Sequence, residues 1–264
     1  MTRALIGFSG FVGSTLLKQA LFESLYRSTN ISDIDGQSFD TVVCAGAPAQ
    51  KWIANREPEA DGQKIEGLIA HLKTIQCKTL ILISTVDVFK DSTGADEESP
   101  VDESGLHAYG LHRRLLEKFV ANHFTNHLIV RLPGLVGPGL RKNVIFDLLN
   151  DNNLHGIESR GIFQFYPMVG LWYDIQTALN AGLKLVHLTA EPISVSDVSK
   201  QGFGRFFDHA LANTPAIYDL QTCHAKVFGA SGHYQYSARE TIQAIRAYAQ
   251  SEPLTINSDP MAKS

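Results

Sequence analysis

Apolar residues fall at two alternating spacings along the first half of the chain. Compact β-rich runs occur at Arg3–Phe8, Ser24–Ser28, Thr41–Ala45, Thr79–Ser84 and Leu128–Leu132, with a short edge segment around Ile31. Between them lie stretches with apolar residues three and four apart. These are Ser14–Glu23 (Leu16, Leu17, Ala20, Leu21), Asp61–Ile75 (Ile65, Leu68, Ile69, Leu72) and Tyr109–His123. The first spacing predicts strands and the second amphipathic helices. Thr79–Ser84 is almost wholly apolar, as a strand covered on both faces should be. Strands alternating with helices predict an α/β fold, a Rossmann-like doubly wound parallel sheet with right-handed crossovers.

After Pro133 the pattern loosens. Glycine and proline cluster in Leu132–Gly139, which reads as a loop. Helices are predicted at Asn143–Leu149, Leu171–Leu183 and Ala238–Ala249. A strand is predicted at Val186–Thr189, and a short helix at Val195–Gly202 capped by Ser194 or Ser196. The tail after Glu252 is polar and reads as loose. The chain thus divides into a regular α/β domain over 1–133 and a smaller lobe over 134–264, with elements returning to the first domain.

Composition narrows the class of protein. The 264 residues carry 23 basic and 27 acidic side chains, so charge offers no reason to expect a nucleic-acid partner. Three scattered cysteines argue for a reducing compartment, against a disulfide scaffold and against a zinc site. Three glycines interrupt the apolar start, which sets aside a signal peptide. No run approaches the ~20 apolar residues of a membrane span, so a cytoplasmic protein is expected. His123 and His127 stand four apart, but no HExxH frames them and no metal is expected.

The first strand runs into Gly7-Phe8-Ser9-Gly10-Phe11-Val12-Gly13, and a helix follows. Glycines here permit a tight turn, a close backbone approach to a pyrophosphate and close helix–strand packing. The helix start adds N–H donors and a positive dipole end. A hydrolase elbow would need glycine at position 11, and a P-loop would need lysine at position 14; these hold Phe11 and Ser14. After the second strand the acidic residue expected for a ribose 2′-hydroxyl is absent, and Arg27 and Ser28 stand there. Arginine beside small hydroxyls suits a 2′-phosphate, so NADP is the expected cofactor, with NAD kept open by Asp33. Farther on, Ser84 and Thr85 end an apolar strand, where side chains face the ligand crevice. Tyr109 and Arg113 open a helix four residues apart, on one face.

The Gly7–Gly13 turn, Ser84–Phe89 (STVDVF), Tyr109–Arg113 (YGLHR), Arg131–Gly134 and Gly137–Gly139 together resemble the extended, sugar-nucleotide-modifying branch of the short-chain dehydrogenase/reductase superfamily. Their order and spacing match over roughly residues 3–140, and Val186–Lys200 resembles that branch's lobe segment. The resemblance implies a catalytic hydroxyl at Thr85, an acid/base at Tyr109, and a cation at 113 that holds the nicotinamide ribose and lowers the phenol's pKa. It implies cofactor contacts at Ala45, Gly46, Ala47, Ser84, Leu132 and Pro133. Arg113 stands where the family has lysine; it keeps the charge in a wider, planar fork. An NAD(P)-dependent oxidoreductase or epimerase acting on a sugar nucleotide or related polyol is therefore expected, as a possible homodimer. Arg113 is also the feature that favours a catalytically silent dinucleotide-binding sensor or scaffold. Asp87 reads as a loop carboxylate rather than a dehydratase acid. The aromatics Phe163–Tyr166, Trp172 and Tyr173 read as core, or as lining of the substrate cleft.

Overall fold

The computed structural model describes residues 2–252, so the polar tail lies outside the described residues. In chain order the elements are β1 (Arg3–Ile6), α1 (Phe11–Gln19), β2 (Ser24–Tyr26), β3 (Ser38–Cys44), α2 (Lys51–Arg56), α3 (Pro58–Leu72), β4 (Gln76–Thr85), α4 (Ala108–His123) and β5 (His127–Leu132). There follow β6 (Gly134–Val136), α5 (Val144–Asn150), β7 (Ile162–Phe163), β8 (Phe165–Pro167), α6 (Leu171–Asn180), β9 (Leu185–His187), β10 (Ile193–Ser194), α7 (Val195–Asp197) and α8 (Ala238–Ser251).

Six strands form one sheet in the order β2-β1-β3-β4-β5-β9, and every pairing is parallel. The chain leaves β1 toward β2, then returns across to β3 on the other side. That reversal opens a crevice at the carboxyl ends of β1 and β3, where sheets of this kind bind ligands. Two apolar layers cover the sheet. Ile65, Leu68, Leu72, Leu116 and Val120 of α3 and α4 pack on one face with Val42, Leu80 and Leu82. Leu16, Leu171, Ile175 and Ala178 of α1 and α6 pack on the other with Val43, Ile81 and Val130.

The chain after residue 134 contributes β9 and α6 to this sheet layer. Its other elements form a lobe around Val136, Ile145, Phe165, Val195, Ile242 and Ile245. Two small strand pairs, β10–β7 and β6–β8, brace it. Ser194 caps α7, accepting from the Asp197 N–H, and the chain continues through a wider helical turn to Gly202. A reciprocal pair between Ser237 and Glu240 starts α8.

Three expectations need correcting, and one helix was unforeseen. The Leu132–Gly139 segment read as a loop contains strand β6, which pairs with β8. The segment around Ile31 is a single 3₁₀ turn, Ile31–Ile34, not an edge strand. Isoleucines three apart suit one face of that turn, and only Ile34 is buried. The first helix begins at Phe11, so Gly13 lies within its first turn. A six-residue helix, α2, precedes the expected one and carries no side-chain cap or long apolar stripe to announce it.

A buried ion pair ties α4 to the sheet. Glu117 is 1% exposed and Arg131, on β5, 2%. Glu117 accepts from Arg131 Nε and Nη2 at 2.9 and 2.7 Å, from Ser84 Oγ at 2.6 Å and from Arg114 Nη1 at 3.0 Å. Burial pushes the Glu117 pKa up, but these donors outweigh it and hold the carboxyl below its ordinary value. Its stabilising contribution is therefore present above the unfolded carboxylate's pKa of about 4.3 and is lost as pH falls through the lower, folded pKa. Glu117→Gln leaves Arg131 charged and buried without its counter-ion, and should cost about 3–5 kcal/mol. Urea unfolding should show a lower midpoint with an unchanged slope. The acid-side loss of stability should be shallower in the variant.

Candidate functional site

The glycine turn fits the crevice by contact as well as by conformation. Gly7 has φ +85°, and its N–H donates to Tyr26 O at 2.7 Å. A Cβ on Gly7 would come within 3.0 Å of Ala45 O and Gly46 N. The turn after β1 and the small-residue loop after β3 thus touch through their backbones at the sheet's reversal point. A Cβ on Gly13 would strike Gly7 O and Phe8 Cα, and one on Gly46 would press Ile6.

Gly10 differs. Its φ of −78° and ψ of 170° are ordinary, and the nearest atom to an added Cβ is 3.5 Å away. Gly10 precedes α1, which has neither a side-chain cap nor an acidic residue in its first turn. The first N–H groups of α1 therefore suit an anion. Ser9 and Gly10 are exposed at the tip. Phe11 and Val12 are half-buried, and Phe11 packs against both the sheet core and the lobe core. At the end of β2, exposed Arg27 lies over the Phe8 ring, 5.7 Å from its centroid, and donates to Thr29 Oγ1 at 3.0 Å. Ser28 beside it is exposed, and Ala47 is half-buried.

Thr85 ends β4 opposite Leu132, which Pro133 follows. The Thr85 hydroxyl accepts from the Asp87 N–H at 3.2 Å and donates to Asp87 Oδ2 at 3.5 Å. The Ser84 hydroxyl is directed into the Glu117 cluster. Tyr109, 9% exposed, lies in the first turn of α4, and its N–H donates to Asn55 Oδ1 at 3.0 Å. A Cβ on Gly110 would collide with Asp87 O, so glycine lets α4 sit directly against the turn after Thr85. Burial raises the Tyr109 pKa, as does the Asp87 carboxylate, whereas Arg113, the Thr85 hydroxyl and Lys51 lower it; the net shift is upward.

Arg113 is buried, with its guanidinium 4.1 Å from the centroid of the Tyr109 ring. Nη1 and Nη2 both donate to Asp61, and Nη2 also donates to Pro48 O. Nε has no partner among the described residues. Asp61 also meets His112 Nδ1 at 2.7 Å. Burial alone would raise its carboxyl, but Arg113 and His112 hold it below the ordinary value.

Sequence reasoning missed one group here. Lys51, the first residue of α2, pairs with Asp87 Oδ1 at 2.7 Å and donates to the Tyr218 hydroxyl at 3.3 Å. Tyr218 stacks on Phe163, linking the lobe to this corner. Nothing local marks Lys51 or Tyr218, because their partners lie 36 and 167 residues from Lys51. Of the other aromatics, Phe165 and Tyr166 are buried in the cores, Trp172 meets Phe22 edge-on, and Tyr173 is exposed. His127 bonds Phe124 O and His123 stacks on Phe119. Glu97, Cys223 and His224 converge elsewhere, but Glu97 already accepts from His187 N, Thr222 Oγ1 and Cys223 N. A surface cavity of about 390 Å³ beside α7 and α8 shares no residue with the set around Tyr109.

Solved structures share this six-stranded parallel α/β fold. A dTDP-4-dehydrorhamnose reductase from Clostridium acetobutylicum is similar over 95% of this chain and 99% of its own, with 16% identity and a TM-score of 0.74. The Bordetella bronchiseptica enzyme WbmG, in complex with NAD and UDP, is similar over 96% and 95%, with 16% identity and a TM-score of 0.74. A UDP-glucose 4-epimerase from Thermotoga maritima, with UDP-glucose, is similar over 95% and 99%, with 15% identity and a TM-score of 0.70. The fold is thus the one expected from the resemblance to extended short-chain dehydrogenases/reductases. No family model and no curated protein matches the chain by sequence. No helix among the described residues is long and apolar enough to cross a membrane.

The glycines differ in what they tolerate. Gly7→Ala combines positive φ with a backbone collision and should destabilise the protein by about 1–3 kcal/mol or more in urea unfolding. Gly10→Ala should be neutral or stabilising by up to about 1 kcal/mol.

Proposed function

We propose that this chain is a nicotinamide-dependent oxidoreductase or epimerase acting on a sugar nucleotide or related polyol, with NADP as cofactor. The observation that carries the reading is the juxtaposition of Thr85 and Tyr109 at the carboxyl end of the sheet that holds the glycine turn. Two features fit a dinucleotide. The backbone cradle between Gly7 and Ala45 leaves its outer side, at Gly10, without a side chain. The buried Nε of Arg113 retains a donor that no group among the described residues takes.

In this reading the N–H groups at the start of α1 hold the pyrophosphate, Ala45, Gly46 and Ala47 line the adenosine side, and Arg27 with Ser28 faces a 2′-phosphate. Leu132 and Pro133, beside Thr85, border the nicotinamide end. The nicotinamide supplies hydride transfer when bound. The Thr85 hydroxyl orients a substrate oxygen, and Tyr109 gives or takes that oxygen's proton. Arg113 supports Tyr109 through the ring face, and its Nε is the donor suited to a ribose hydroxyl. The neighbours that act on or bind UDP- and dTDP-linked compounds support a nucleotide-sugar substrate.

Tyr109→Phe should lower turnover of UDP- or dTDP-linked hexoses by about 10²-fold or more while NADPH binding, read by nucleotide fluorescence, is unchanged. Retained turnover would remove Tyr109 from its role, and NADPH binding without turnover of any such compound would favour the silent sensor. Gly10→Ala should weaken NADPH binding in a protein of normal stability. Arg27→Ala should weaken NADPH binding at least about tenfold more than NADH binding, through loss of a charged phosphate contact. Equal losses would refute the assignment of NADP.

A further inference from the structure

We propose that Lys51, clamped by Asp87 and Tyr218, is a positioning residue that neutralises the Asp87 carboxylate and holds the turn carrying Thr85 against Tyr109 from the α2 side. The inference rests on reading Tyr109 as the acid/base. Lys51 and Asn55 stand four apart and so share one face of α2. Asn55 docks on the backbone N–H of Tyr109, and Lys51 lies one turn earlier and grips Asp87. Asp87 follows Thr85 by two residues, and its backbone abuts Gly110, the residue after Tyr109. One short helix therefore holds the start of α4 and the turn after β4 together, and places a cation on the Asp87 carboxylate.

The charges around Tyr109 come from several elements. Arg113 lies on its own helix, but its Nη groups are engaged by Asp61 and Pro48. Asp61, on α3, is shared with His112. Asp87, from the turn after β4, favours the protonated phenol, while Lys51, from α2, favours the phenolate. His107, just before α4, caps the helix and is kept neutral-favouring by burial and by Lys51. Tyr218, from the lobe side, hydrogen-bonds both members of the pair. Asp87 is thus the unfavourable charge beside the phenol, and Lys51 is its counter-charge. Without Lys51 the phenol faces an uncompensated carboxylate and loses a cation as well. Arg113 is the strongest of the groups that lower the phenol's pKa, and Lys51 acts chiefly by offsetting Asp87.

The test follows the titration of the Tyr109 ring carbon bearing the hydroxyl, by NMR of ¹³Cζ-tyrosine protein, with the resonance assigned by its loss in Tyr109→Phe. Lys51→Met should move the Tyr109 titration upward, opposite to the shift from removing the Asp87 charge. Asp87→Asn should move it downward, and the double variant should fall between the two. Lys51→Arg should retain the wild-type titration. A plain structural tether would lower stability without moving the phenol, so an unchanged titration in Lys51→Met overturns the proposal whatever Asp87→Asn does. The readout needs no turnover. Activity retained in Tyr109→Phe would refute the functional reading and leave this coupling standing; an unmoved titration would do the reverse.

Discussion

The Glu117 carboxylate is the point on which the site depends. It is inaccessible to water, sits on α4, and takes hydrogen bonds from β4 through Ser84 and from β5 through Arg131. A carboxylate in that position is tolerable only with its donors in place. The sheet and the helix therefore have one favourable relative position, whereas apolar packing alone would allow sliding. Thr85 directly follows Ser84, and Tyr109 lies two turns before Glu117 on the same helix. Fixing Ser84 against Glu117 consequently fixes the register between the hydroxyl and the phenol. The network extends through Arg131 to His187 on β9, so the sixth strand, supplied by the second half of the chain, is anchored in the same cluster.

The glycine turn works on another principle. Its geometry comes from the absence of side chains at the sheet's reversal point, where β1 and β3 end side by side. Gly7 must be glycine because the loop after β3 passes too close for any Cβ. Gly10 is under no such internal demand. A residue that the fold does not require to be glycine, within a turn whose other glycines it does require, points outward to what the turn meets.

These two principles explain what was legible in the sequence. Strand–helix alternation, the glycine turn and the hydroxyl-ended strand are local patterns, and a local pattern survives in one dimension. The parallel sheet and its core strands follow from it, whereas the pairing of Thr85 with Tyr109 came from the resemblance to a known family. The spacing of Ile31 and Ile34 fits one helical turn and puts them on opposite faces of a strand, so the edge-strand expectation had no period behind it. The partners of Glu117, Arg113 and Lys51 were not legible, since each is brought in by topology from another element. Arg131 entered the reading only as part of a resemblance, with no hint of the buried pair it forms.

Arg113 shows how such non-local partners alter the meaning of a residue. From sequence it is a cation one helical turn from a tyrosine, and its charge should favour the phenolate. In the fold its terminal nitrogens are neutralised by Asp61 and bound to the Pro48 carbonyl. The guanidinium lies over the face of the ring, where it meets the π-system rather than the hydroxyl. Its electrostatic effect on the phenol is correspondingly divided: it still lowers the pKa, yet burial prevails. The planar fork accounts for this arrangement, because arginine can bridge a carboxylate and a carbonyl while stacking, which an ammonium group cannot. The same fork leaves Nε as a donor in a fixed direction. The residue that departs from the family's pattern is thus better suited to hold the loop at Pro48, the helix at Asp61 and the tyrosine ring in one unit than to tune the phenol by charge alone.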